Sequence, residues 1–229
     1  MKIQMKKNSA LSRRSLLKAT FGAAGFIAAS GTLTRAFAAA CQLTPKQTEG
    51  PFYPIEKGLD QNSDLTYVDG RSARAKGQVV YIQGKAMDAA CLPVAGALVE
   101  IWQACSSGKY SHPGDTNPAP LDPDFQYYGK CLTDDKGAYL FKTILPGAYP
   151  ADVDWIRPPH IHFKVHKLGY HELTTQMYFE GNEHNDRDKI LQAIPASERG
   201  LVVIPMKEPS PEMEPGSKLC EFDISILKV

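Results

Sequence analysis

Short apolar runs, each closed by a turn cluster, recur through residues 78–229, and nothing else in the chain constrains its fold as much. Val79-Val80-Tyr81-Ile82 heads one strand, and Ala97 to Trp102 makes a second. Asp134-Asp135-Lys136-Gly137 is a hairpin turn set before Tyr139-Leu140-Phe141, and Pro146-Gly147 marks the next turn. From His160 to Val165 the chain alternates with period two. His160, His162 and Lys164 fall on one face, Ile161, Phe163 and Val165 on the other. Residues 173–179 and 201–204 read as further strands. Cys220, Phe222, Ile224 and Ile226 alternate with Glu221, Asp223 and Ser225, which predicts one half-buried strand. Residues 109–124 are dense in Pro, Gly, Asp and Asn and read as a long loop, while 186–194 reads as one short helix. The expected fold is all-β: a β-sandwich of mostly antiparallel strands, with long loops and at most one or two short helices.

The first residues read differently. Lys2, Lys6 and Lys7 precede Ser12-Arg13-Arg14-Ser15-Leu16-Leu17-Lys18, which resembles a twin-arginine export signal. Residues 19–29 are weakly apolar and too short for an ordinary membrane span, and Ala36-Phe37-Ala38 offers a small-x-small cleavage site. The expected organisation is a signal peptide over 1–38, an extended arm over 39–76 and a β-sandwich catalytic domain over 77–229, exported to the periplasm or beyond, with no membrane anchor in the mature form. About 190 residues then remain, enough for one domain with a sizeable core. Net charge is +1 without a basic block, so no nucleic-acid partner is expected. Five cysteines, Cys41, Cys91, Cys105, Cys131 and Cys220, leave at least one thiol unpaired within a monomer, and none form C-x-x-C.

The chemistry concentrates in Arg157-Pro158-Pro159-His160-Ile161-His162-Phe163. On a strand, His160 and His162 present two imidazoles to one point, which can make two corners of a metal site. The two prolines stiffen the lead into that strand, and Arg157 sets a fixed cation beside it. No Asp or Glu stands at ligand spacing. Instead two turns carry tyrosines, Tyr110 in Gly108-Lys109-Tyr110-Ser111 and Tyr149 in Pro146-Gly147-Ala148-Tyr149-Pro150. Phenolate is a hard anionic donor and suits Fe(III) better than zinc or copper(I).

Six segments resemble, in order, the intradiol ring-cleavage dioxygenase family. They are the arm from Leu43 to Pro54, Val99-Glu100-Ile101-Trp102-Gln103, Gly108-Lys109-Tyr110, Leu145 to Pro150, Arg157 to Phe163, and Thr175-Gln176-Met177-Tyr178-Phe179-Glu180-Gly181. The branch they look most like is the protocatechuate 3,4-dioxygenase type. The resemblance implies Fe(III) held by Tyr110, Tyr149, His160 and His162, with O2 and a catechol as the small-molecule partners. It implies that Tyr149 leaves the metal as substrate binds and takes up a catechol proton. It casts Arg157 as stabilising negative charge on the substrate and Gln176 as a pocket residue. Tyr53, Ala151 and Ile190 are carried over as pocket lining, and a homo-oligomer of unstated size is the expected assembly. Ala151 stands where some relatives carry a bulky aromatic, and the long N-terminal helical segment of the catechol and hydroxyquinol dioxygenases is missing.

One alternative competes. Gly96-Ala97-x-Val99, Thr133 to Phe141 and Leu145-Pro146-Gly147-x-Tyr149 also resemble secreted transthyretin-like or carboxypeptidase-regulatory-like sandwich modules, which bind no iron and use that last tyrosine for packing. The Arg157 to Phe163 motif, Tyr110 and Gln176 favour the enzyme.

Overall fold

The computed structural model describes residues 40–58 and 60–229. The expected signal peptide lies outside them. Among the described residues no helix is long and apolar enough to cross a membrane.

Two sheets carry the fold. The first is built on β1 (Val79–Asp88), which pairs antiparallel with β4 (Ala138–Ile144) on one edge. On its other edge it pairs parallel with β10 (Lys218–Glu221) and then β11 (Ile224–Ile226). The second has the order β3-β2-β7-β8-β9: β3 (Tyr128–Leu132), β2 (Leu98–Trp102), β7 (His160–His166), β8 (Leu173–Phe179) and β9 (Val203–Ile204). A two-stranded ribbon, β5 (Tyr149–Asp152) with β6 (Trp155–Arg157), stands apart.

The inner faces of the two sheets share one core. Val80, Ile82 and Phe141 of the first meet Ile101, Ile161 and Phe163 of the second, all fully buried. Each such side chain contributes roughly 1.5–3 kcal/mol by leaving water. The other face of the second sheet is thereby left to polar and aromatic residues, and the site is built there.

The sandwich expected from the sequence is present, with three local differences. The strand expected over 220–226 is broken at Phe222-Asp223. There Gly84 of β1 passes so close that an added Cβ would lie 1.8 Å from the Phe222 carbonyl oxygen. Asp223 turns its carboxylate to the Lys85 amide (2.8 Å), interrupting the ladder. Ser225, expected to face water, is buried, because the arm covers it and Thr44 exchanges hydrogen bonds with its backbone. The helix expected over 186–194 is a 3-10 turn, Asn185–Arg187, followed by α1 (Lys189–Gln192). Asp188 separates them and caps α1 by accepting from the Leu191 amide at 2.8 Å.

The arm is fastened at its start. Cys41 and Cys91 form a disulfide across a sequence separation of 50, leaving Cys105, Cys131 and Cys220 as free thiols. Further along, the Gln47 amide donates to Thr174 O (2.8 Å) and its side chain to Gln176 O (2.9 Å), so the arm covers the open edge of β8. The chain-entropy value for a loop of this length is about 4 kcal/mol. The Cys41→Ser/Cys91→Ser double variant is therefore expected to lose stability of up to that order. Urea unfolding with and without reductant checks this, since only the parent should respond to reductant.

Candidate active site

The register of the second sheet puts the chemistry in one row. Trp102 of β2 lies opposite His162 of β7, which lies opposite Gln176 of β8; His160 lies opposite Tyr178. Residues directly opposite share a face, and so do residues two apart. His160 and His162 therefore both point away from the core, as their spacing predicts, and both are buried at 2 % exposure because the arm and loops cover that face. Their rings sit 4.9 Å apart between centroids. Trp102 stacks on His162 (4.7 Å, 10° between planes), and Gly50 of the arm fits against its edge. A Cβ at Gly50 would stand 3.3 Å from His162 Cε1, and the residue's φ is +72°.

Two loops bring in the tyrosines. Each loop has a glycine where the backbones touch. A Cβ at Gly108 would lie 2.4 Å from Ala148 O, and one at Gly147 would lie 2.4 Å from Gly108 N. The Gly147 and Gly108 amides both donate to Cys105 O, at 3.0 and 2.9 Å. That backbone-to-backbone approach holds Tyr110 and Tyr149 with ring centroids 5.6 Å apart. The long loop over 109–124 is internally bonded. Asp115 accepts from the Tyr110 amide (2.7 Å), and Lys109 donates to the carbonyls of Asp115 and Asn117.

The four rings converge. The Tyr110 hydroxyl is 3.3 Å from His160 Nε2, and Tyr149 is 5.7 Å from His160 between centroids. His160 Nδ1–H donates to the Pro158 carbonyl (2.7 Å), which fixes the tautomer and leaves the Nε2 lone pair turned toward the tyrosines. His162 Nδ1 has no hydrogen-bond partner although it is buried. Burial pushes both histidines far below their ordinary range, with the Arg157 charge adding to it, so both are neutral imidazoles, the form that binds metals. Burial pushes Tyr110 far up, helped by Tyr149; burial also raises Tyr149, against the pull of Arg157. The protein's own groups thus favour neutral phenols, and a highly charged cation would invert that preference. Among the described residues no group of three or more His, Cys, Asp or Glu is placed to hold a metal. Two imidazoles and two phenols are the donors that meet, and this set fits a hard, higher-valent ion.

A buried polar network stands beside them. Arg157 donates from Nε to Asp188 Oδ2 (2.7 Å) and from a terminal nitrogen to Gln176 Oε1 (2.7 Å). Gln176 Nε2 donates to Thr48 O (2.9 Å), and the Tyr178 hydroxyl lies within reach of Gln47 and Gln176. Asp188 also accepts from Trp155 Nε1 (3.3 Å). Arg157 is 4 % exposed, and Gln176 and Asp188 are fully buried. Arg157 and Gln176 stand in motifs visible in the sequence, whereas Asp188 does not. Its cap position was the one available signal, and the expected helix start at 186 hid it.

A cavity of about 320 Å³ opens beside His162, Tyr149 and Arg157. Ala151 and Ile190 line it, together with Phe52 and Trp155. Tyr53 does not line it. Its ring meets Trp102 edge-on at 4.9 Å, and its hydroxyl is 3.2 Å from Glu100, in a separate group with Lys57 and Tyr128. The arm turns there, so Tyr53 supports Trp102, and through it His162, from the far side.

Comparison with known proteins places the chain among dioxygenases. A family model described as Dioxygenase matches residues 48–226. The protocatechuate 3,4-dioxygenase beta chain of Burkholderia cepacia is 38 % identical over 157 residues, covering 67 % of this chain and 66 % of that one. The catechol 1,2-dioxygenase of Candida albicans is 33 % identical over 154 residues, covering 62 % and 48 %. The match thus spans from under half to just under two thirds of the length of these curated relatives. Among solved structures, the dioxygenase domain of a dioxygenase carbohydrate-binding protein fusion from Streptomyces sp. SirexAA-E is similar with a TM-score of 0.61 at 26 % identity. It covers 82 % of this chain and 100 % of that one.

Proposed function

This chain belongs to the intradiol dioxygenase family, and from that premise we propose that it opens the ring of a catechol between its two hydroxylated carbons, with Fe(III) held by Tyr110, Tyr149, His160 and His162. The observation that carries the reading is the convergence of those four rings, with the His160 tautomer fixed by Pro158 O. In the overall change both atoms of O2 enter the substrate and the C–C bond between the hydroxylated carbons breaks. The product is a cis,cis-muconate-type diacid, and no external reductant is needed. Ferric iron, when bound, would act as a Lewis acid that holds the catechol as its dianion and makes it electron-rich enough to react with O2.

The chain's own groups do the rest. Tyr149 accepts a catechol proton at its phenolate oxygen. Arg157, opposite Tyr149 in the ribbon, stabilises negative charge on that oxygen and on the substrate. Gln176 holds Arg157 in place while Thr48 O holds Gln176. Phe52 and Trp155 shield the site from water. The likeness to the protocatechuate 3,4-dioxygenase beta chain and to a catechol 1,2-dioxygenase supports a catechol as substrate and does not choose between these two. The proposal includes removal of residues 1–38 as a twin-arginine signal and work outside the cytoplasm, with a homo-oligomer as the expected assembly.

The purified, iron-loaded protein is expected to be red-brown, from phenolate-to-iron charge transfer, and to consume one O2 per catechol cleaved. Absorption spectra, iron analysis and oxygen uptake against a panel of catechols check this. A colourless preparation that takes up no iron and no oxygen would leave the iron-free sandwich module as the better reading.

A further inference from the structure

We infer that the site is built for catechols whose ring carries a bulky, uncharged substituent, and that it discriminates against ring carboxylates. The inference rests on the proposed ring-cleavage reading and names its substrate class. Among the described residues only two charged side chains line the cavity, Arg157 and Asp115. Arg157 is already held by Asp188 at 2.7 Å and by Gln176 at 2.7 Å. Asp115 is an anion whose two oxygens hold the Tyr110 and Asn117 amides. Its cation, Lys109, lies 3.6 Å away, donates to backbone carbonyls of the same loop and does not line the cavity. A carboxylate on the substrate would therefore lose water without meeting an unpaired cation, and would face Asp115.

Pro51, Phe52, Pro150, Ala151, Trp155 and Ile190 give the wall a broad apolar stretch, beside the uncharged Thr48, Thr116 and Asn117. At about 320 Å³ the cavity exceeds what an unsubstituted catechol fills. Ala151 contributes only a methyl group. Thr48 and Ile190 are shared with an adjoining groove of about 570 Å³, so a long substituent can pass over Ile190. Two cations, Lys46 and Lys189, line that groove, and Lys189 Nζ lies 4.9 Å from the Trp155 ring centroid.

The test compares kcat/KM for catechol, 4-tert-butylcatechol and 3,4-dihydroxybenzoate on the iron-loaded protein, in the parent and in Ala151→Trp and Ala151→Lys. The parent is expected to prefer 4-tert-butylcatechol to the benzoate by at least about tenfold, the scale on which a pocket discriminates by one or two groups. Ala151→Trp should lower the rate on 4-tert-butylcatechol more than on catechol, and Ala151→Lys should shift preference toward the benzoate. Cleavage of catechol with the benzoate preferred over 4-tert-butylcatechol overturns this inference alone. No cleavage of any catechol overturns the ring-cleavage reading beneath it.

Discussion

Replacing Tyr110 with phenylalanine is expected to leave the sandwich folded and to lower turnover on the order of 10²–10⁴-fold, the range lost with a positioned catalytic group. The two consequences separate because ring and hydroxyl do different work. The ring packs on Phe52 at 4.8 Å and meets Tyr149 edge-on at 5.6 Å, and phenylalanine keeps both contacts. The hydroxyl is 3.3 Å from His160 Nε2 and also pairs with the Tyr149 hydroxyl. Its loss costs about 1 kcal/mol net. In the proposed reading it is also one of two anionic donors. Without it the site has one fewer negative charge to set against a trivalent ion. The charge-transfer band should weaken or shift, and iron content should fall on dialysis. Visible absorption, iron analysis and oxygen uptake on the same sample test this, with circular dichroism reporting the fold. An unchanged band with full iron would take Tyr110 out of the ligand set. A sandwich module without a metal gives this residue no reason to be buried beside a histidine.

The sequence made the two halves of that donor set legible to different degrees. His160 and His162 could be read from chain geometry alone, because residues two apart on any strand share a face, and β7 is a regular strand. That Tyr110 and Tyr149 meet is not written in their spacing. It depends on Gly108 and Gly147 letting two loops touch, and only the family resemblance anticipated the outcome. The sandwich was legible for a similar reason: the apolar runs of β1 and β2 and the alternation in β7 are local. The break at Phe222-Asp223 was not, because it is imposed by Gly84 far away in sequence. Ser225 was misplaced for a related reason, since what covers it is Thr44 of the arm. Tyr53 sits in a motif that resembles the family's arm, yet the turn of that arm carries it to Glu100 and Trp102 rather than to the cavity. Motif membership does not say which side of a wall a side chain takes.

Asp188, which no sequence signal tied to Arg157, is expected to be the position near the site most sensitive in stability. Asp188→Ala should cost about 3–5 kcal/mol, the usual loss when one partner of a buried ion pair is removed. The size follows from what would remain. Arg157 is 4 % exposed and Asp188 fully buried, so the guanidinium would keep its charge without a carboxylate, held by Gln176 at 2.7 Å, Tyr178 at 3.4 Å, Tyr149 and the Trp155 ring. The α1 cap to the Leu191 amide would go too, worth about 1 kcal/mol. Asp188→Asn separates the two losses, because the amide oxygen can still cap while the charge is gone. The double variant Arg157→Met/Asp188→Leu removes both charges together and is expected to recover most of the stability lost in Asp188→Ala. It should not recover turnover, since the group proposed to stabilise charge on Tyr149 and the substrate is gone as well. Urea unfolding and oxygen uptake, run on the four proteins, therefore give opposite orders for the double variant if Arg157 serves chemistry and Asp188 serves Arg157. Equal urea midpoints for the parent and Asp188→Asn would mean that Arg157 draws its compensation from Gln176 and Tyr178. Asp188 would then be a helix cap that happens to lie beside a guanidinium.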